Sequence, residues 1–426
     1  MTNSIRALYN QIAVSGHARE TAINTPQTLD LSLQCELSDI ITPEPRRENN
    51  AGQMTGKEEA DRIYDRGKTA SLPLSFKMAE PQHFALLYAY GLGSVAASVA
   101  GDGYLKTITP ITGDLDIDRS NPSFTVAGRL GKTIAKERYA SAFIDSLSAK
   151  FAKDAWVELS GSALLTGKSE SSITEESITA AENVTALTLA ANGVAGSSAA
   201  ERLANIHQIR AELASGVWTE VAFSAVSAAT PAVITITAPG ATTDDVTYKV
   251  LYAPTELAWM AFPARVSQAP LLVSDITFSI GGQWNGTAIV GGRNMGAEIN
   301  SIEHSLNNNG KVEFSLGATG SYASRYWRDG RTQMLKLSRE FRDYIIQNYM
   351  NNNEYFAARI LCDGPAYDEA NNYQVELIFP KLGILKAAVS VDGKKLAEAG
   401  DLEVLEHDTY GSVIVKVKDL AATYAG

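Results

Sequence analysis

The segment closest to a reaction motif is Val126-Ala-Gly-Arg-Leu-Gly131-Lys132-Thr133. A Gly-Lys-Thr ending closes a phosphate-binding loop, in which backbone N–H groups cradle phosphate, the lysine reaches it and the hydroxyl holds magnesium. The same pattern needs glycine at position 126, and valine stands there, so the motif fails. The five histidines, His17, His83, His207, His304 and His407, form no HExxH or other short ligand pair. Cys35 and Cys362 stand far apart, and zinc needs such ligands close together. Serine is abundant, yet no G-x-S-x-G elbow raises one into a nucleophile. Glu58-Glu59 sits among other charges and reads as solvated. The pairs Gly281-Gly282 and Gly291-Gly292 lack dinucleotide-binding spacing and read as turns. The expectation is a protein that is not an enzyme, with no catalytic, cofactor-binding or metal-binding residues.

Composition points to a folded protein of another kind. Of 426 residues, 45% are apolar and 20% charged, as in soluble globular chains long enough for two or three domains. The net charge of −11 keeps phosphate backbones off and does not grip them. Two lone cysteines suit reduced, buried thiols in a protein made in the cytoplasm. The first twenty residues lack the apolar run of a signal peptide. Phe84 to Gly101 is uncharged but too rich in glycine, serine and tyrosine for a membrane helix, so no membrane anchoring is expected.

Periodicity supplies the elements that would position any site. Residues 1–30 read as an N-terminal arm. Leu29, Leu31, Leu33, Cys35 and Leu37 alternate with polar residues, as in a strand with one buried face, and Thr42-Pro43-Glu44-Pro45 ends it. Residues 44–67 mix both charge signs and read as a long exposed loop. Leu72, Leu74, Phe76 and Met78 alternate and begin a second strand. Pro81 then opens a helix with Phe84, Leu87 and Tyr88 on one apolar face and Gly91 as its stop. Strands follow over 104–110, 123–129, 139–151 and 155–165.

Residues 168–265 differ in texture. Ser198-Ala-Ala-Glu201 is a capping box, and Leu203, Ile206, Ile209 and Leu213 follow at helical spacing up to Gly216. With strand-like runs at 218–225, 232–238 and 246–252, this reads as a small inserted α+β domain. β texture then returns to the C-terminus, broken by one helix opened by Ser338 with Phe341, Tyr344, Ile345 and Tyr349 on its face.

Two stretches repeat. Gly67-Lys68-Thr69 with Leu72, Leu74 and Ser75 matches Gly330-Arg331-Thr332 with Leu335, Leu337 and Ser338, at an offset of 263, and a helix follows in both. A second echo relates Ile144-Asp-Ser146-Leu147 and Val157-Glu158-Leu159-Ser160 to Ile299-Asn-Ser301-Ile302 and Val312-Glu313-Phe314-Ser315, both at an offset of 155. The first includes the helix and is taken as the domain equivalence. The second fits two similar hairpins.

The order of motifs resembles the tail tube proteins of long-tailed bacteriophages. The pieces that carry it are Asn121-Pro-Ser-Phe-Thr-Val126, Ile144-Asp-Ser-Leu-Ser148 and the strand near Val157–Leu165, with similar pieces from Leu271 to Val417. The resemblance implies two β-sandwich tube domains with flanking helices, at 31–167 and 266–426, with 168–265 inserted between them. It implies a virion protein of the phage tail that polymerises into stacked rings, homotrimeric if each chain supplies two of six tube folds, hexameric otherwise. The tape measure protein and then DNA would pass through an electronegative lumen. Tail terminator and distal tail proteins would be its other partners. An insertion of this size has no room in the channel, which implies an outer position and a non-contractile, siphovirus-type tail. Arg46, Arg47, Glu58 and Glu59 of the charged segment are the candidates for inter-subunit contact. A secretion-tube-like protein, or another virion or surface β protein, is the alternative reading.

Overall fold

The computed structural model describes residues 6–111, 121–131, 134–181, 183–240, 245–315 and 321–426; Lys132 and Thr133 lie outside them. The chain is mainly β and divides into two compact units.

The smaller unit comprises Met1–Gln11, Ala127–Arg138 and Ser169–Phe262. One sheet orders the strands Thr174–Ala181, Asp245–Tyr252, Ile206–Ala214 and Val217–Glu220; another orders Ala186–Thr188, Val233–Ile236 and Phe223–Val226. Both bury side chains in one cluster that includes Leu187, Ile209, Ile234 and Tyr248. The capping box forms: Ser198 Oγ accepts the Glu201 N–H and the Glu201 carboxylate accepts the Ser198 N–H, each at 3.2 Å. The helix it starts is only Ala199–Ala204. Residues expected to continue that helix form the strand Ile206–Ala214, which corrects the α+β expectation to paired β-sheets with one short helix. A bulge between Ile206 and Gln208 explains the misreading. It shifts the alternation by one residue, so Ile206, Ile209 and Ala211 all face inward and mimic a helical spacing of three. Gly216 (φ +77°) turns the chain into the next strand; it does not stop a helix.

The larger unit comprises Ile12–Val126, Tyr139–Lys168 and Pro263–Gly426. Its frame is a run of eight antiparallel strands: β1 (Thr42–Asn49), β2 (Ile63–Phe76), β3 (Lys136–Ala152, of which this unit holds the part from Tyr139), β4 (Glu158–Leu165), β5 (Ile299–Asn307), β6 (Thr332–Glu340), β7 (Asn372–Asp392) and β8 (Lys395–Val404). Their order is β1-β2-β4-β3-β5-β6-β8-β7. The first part of β7 also lies between Phe356–Ala366 and Ile414–Asp419, and the latter pairs with Gly103–Pro110. A single apolar cluster joins Leu72, Leu147, Leu335 and Leu402 of the eight strands to Ile360, Val375 and Val415 of this second set.

Helix α1 (Pro81–Leu92) belongs to the same cluster. All twelve of its residues are buried, so it is covered all round and not on one face. Gly93 (φ +95°), not Gly91, is its C-cap. The second expected helix is shorter: β6 runs through Ser338, and α2 is Ile345–Asn351. Leu335, Leu337 and Arg339 keep the period of two beyond the serine, and that alternation wins.

Two further expectations change. Gln11–Val14, inside the expected arm, is a strand paired with Leu31–Leu33, and its Ile12, Ala13 and Val14 are buried. The expected loop 44–67 keeps a loop only over 50–62, and its two flanks belong to an exposed ribbon of β1 and β2. Every residue of β1 is exposed, so the ribbon needs cross-strand partners such as Arg66–Glu48 at 2.9 Å and no core. Pro43 and Pro45 do not end the strand because β1 is an edge, where a missing N–H costs no ladder bond.

The internal repeat extends to register. Adding 263 to both members of the Thr42–Ser71 pair gives the observed Ser305–Met334 pair, and Arg47–Asp65 gives Gly310–Arg328. Ile144 opposite Ala163, with an irregularity before Ser146, recurs as Ile384 opposite Leu402, with an irregularity before Lys386. Thus β1, β2, β4 and β3 correspond to β5, β6, β8 and β7. The echo at 155 relates β3 to β5, which are direct neighbours.

Candidate functional site: the polar face and open ends of the eight-stranded sheet

Except in β1, which is exposed throughout, these strands turn one set of alternate side chains to the core and the other set away from it. On the outward face, Ser75, Ser160, Ser148 and Ser305 stand opposite one another across four strands. Ser146 and Ser162 share a hydrogen bond of 2.7 Å, and Ser148 Oγ donates to Glu303 at 2.9 Å. A parallel row carries charge. Glu158, Lys150, Glu303, Lys336, Asp401 and Lys386 are consecutive register partners from β4 to β7, and their signs alternate at every step. Lys150 and Glu158 form an ion pair of 3.1 Å. Alternation removes like-charge neighbours and leaves no cluster of basic groups.

The other face is dry. His304 of β5 is fully buried, with Nδ1 2.8 Å from Tyr88 Oη and Nε2 3.2 Å from Gln333 Oε1. Burial holds its imidazole down at about 4. Arg339 of β6 is fully buried, and donates to Glu398 at 2.6 Å, Asp343 at 3.0 Å and Glu298 at 3.1 Å. These groups sit inside the core and do not face the polar surface.

The run has two ends. Among the described residues, β1 pairs only with β2, and β7 beyond Leu382 pairs only with β8. Leu385, Val389 and Val391 on the β7 end are exposed. A long apolar edge of this kind is a ready template for another strand.

The four residues expected at a subunit contact all belong to the exposed ribbon. Arg46 and Arg47 lie at the irregularity of β1. The Arg46 guanidinium sits 4.2 Å from the Phe314 ring centre, and Arg47 stands opposite Asp65. Glu58 and Glu59 are in the tip, so the fold places them on the same projection without joining the four into one cluster. The charged row was missed from sequence because its six members come from six strands that only register aligns. The alternation within β3, Ser146, Ser148 and Lys150 against Leu147 and Ala149, was its one local signal.

Among the described residues no group of three or more His, Cys, Asp or Glu side chains could hold a metal ion, and no helix is long and apolar enough to cross a membrane. No protein-family model matches the sequence, and no curated protein matches it.

Proposed function

We propose that this chain is a structural subunit of a phage-type tail tube, closing into rings through its own sheet. The observation that carries the reading is the β3–β5 junction. Two copies of a four-stranded unit are already joined edge to edge within one chain, from Ser146–Asn307 to Ala152–Ser301. The same two edges, β1 in the first unit and β7 in the second, stay open at the ends. A heterologous contact that repeats the internal one adds further units in the same sense, and a closed ring removes both edges.

The stagger supports closure. A straight crossing from Ser75 through Ser160, Ser148 and Ser305 ends at Met334, four residues from Ser338, the position that the offset of 263 assigns to Ser75. One residue of stagger per strand tilts the strands by roughly 35°, inside the usual range for closed barrels. Eight strands per chain make three chains a barrel of roughly 24 strands, about 45 Å across between backbones. Six chains would double that width and leave a bore far wider than one DNA duplex.

The polar face would then line the bore. Serines and alternating charges, with Glu44 and Glu403 adding to the acidic side, offer a polyanion no basic cluster on which to stick. The tape measure protein and then DNA are the passengers this reading names. The tail terminator and distal tail proteins would meet the tube ends. The ribbon that carries Arg46, Arg47, Glu58 and Glu59 is suited to polar contact with a neighbouring ring.

Electron microscopy of the purified protein tests this. Hollow tubes with three chains per ring are the expected outcome. A persistent monomer under all assembly conditions would overturn the reading, and six chains per ring would overturn its stoichiometry.

A further inference from the structure

The internal junction specifies the external one to the residue. We propose that the Lys386–Val391 edge of one copy adds to the Ile41–Glu44 edge of a second copy, with Val389 opposite Ile41 and Lys386 opposite Glu44. This rests on the ring reading above and adds to it a register and a chemical polarity.

The register follows from two equivalences. The offset of 263 carries Thr42–Glu44 onto Ser305–Asn307, and the matched irregularities carry Ser146–Ala152 onto Lys386–Asp392. Inside the chain Asn307 faces Ser146 and His304 faces Ala149. Transferred, Glu44 faces Lys386 and Ile41 faces Val389. Burial agrees. Ala149 and Phe151, covered at the internal junction, are 0% and 2% exposed, whereas their counterparts Val389 and Val391 are 43% and 73% exposed. The same positions lack a cover only where the second copy would supply it.

Charge agrees as well. The alternating row ends on Lys386. Glu44, whose Oε1 already accepts from Ser71 Oγ at 2.7 Å, would be its next member and keeps the sign alternation across the junction.

The polarity comes from two prolines. At the internal junction the Asn308 N–H donates to the Asp145 carbonyl at 2.7 Å. Leu306, two residues back, points its N–H the same way. The counterparts of Asn308 and Leu306 are Pro45 and Pro43, which have no N–H. The β1 edge therefore accepts hydrogen bonds at these positions and donates none. Two β1 edges cannot pair with each other there, while the β7 edge keeps its donors at Leu385 and Ala387. The prolines thus direct the edge toward β7 and away from indiscriminate pairing.

Cysteine cross-linking tests the register. Thr42→Cys with Ala388→Cys places two thiols at a non-hydrogen-bonded pair, where strands approach most closely. Oxidation of assembled double variant should give covalent trimers as the main species on a non-reducing gel. Either single variant, or Thr42→Cys with Ser390→Cys, should stay monomeric on that gel. Tubes in which the shifted pair cross-links, or neither pair does, would overturn the register and leave the ring reading intact. Wild-type protein that never assembles would overturn both. As a second arm, Val389→Pro should abolish assembly of a subunit that melts as wild type does, and Pro43→Ala should leave assembly intact. Normal tubes from Val389→Pro would sink the proposed donor edge.

Discussion

The two halves of the eight-stranded sheet share a register but not a chemistry. In the first half Phe76 of β2 stands opposite Leu159 of β4, both buried, and its ring stacks on His83 at 4.0 Å between centres. The corresponding pair in the second half is Arg339 of β6 opposite Glu398 of β8, an ion pair of 2.6 Å that is equally buried. Ile41 in one half likewise corresponds to His304 in the other. What repeats is therefore the backbone pairing and the inward direction of these side chains. The contents of the core were free to diverge as long as each buried polar group found partners.

That comparison is easiest to break at the ion pair. Glu398→Ala leaves a buried guanidinium short of one partner and should cost about 3–5 kcal/mol, read as a lower urea midpoint. The double change Arg339→Phe with Glu398→Leu, which copies the first half into the second, should be near neutral or stabilising, because Glu298 keeps its 2.9 Å ion pair with Arg293. A double variant as unstable as the single one would mean that the halves are not interchangeable at this site.

Acid provides a smaller test. His304 and His83 are both buried, and burial holds their imidazoles down at about 4 and about 3, with Arg265 a lesser cause at His83. The unfolded chain takes up these protons near pH 6.5, before the folded chain does. Their contribution is thus complete above pH 6.5 and is lost as pH falls toward 4, by roughly 3 kcal/mol per histidine. Urea midpoints measured from pH 7.5 down to 4.5 should fall, and His304→Gln should flatten that slope. An unchanged slope in the variant would show that His304 takes no part.

The smallest effect belongs to the polar face. Lys150 and Glu158 are each about half exposed. Lys150→Ala should lower stability by about 0.5 kcal/mol or less, within a degree or two in thermal melting. A loss above about 2 kcal/mol would mean that the charged row helps to hold the sheet together, contrary to the expectation for exposed pairs.

Sequence alone determined whatever depends on near neighbours. The period of two in Leu72, Leu74 and Phe76 marked β2, Pro81 marked the start of α1, and Ser198 with Glu201 marked a cap, because each signal lies within a few residues of the backbone it shapes. The offset of 263 was legible for the same reason: it repeats a local strand pattern. Local pattern also misled where two periods overlap. Ile206 and Ile209 have helical spacing, yet a bulge puts them in one strand; Ser338 resembled a helix start, yet β6 runs through it. Only the tertiary structure decided that Lys150 neighbours Glu303, that β3 and β5 join the halves, and that β1 and β7 remain open. Those facts depend on which carbonyl meets which N–H across more than one hundred residues of chain. A slip of one residue would turn every side chain of a strand to the other face, and no local pattern records that choice.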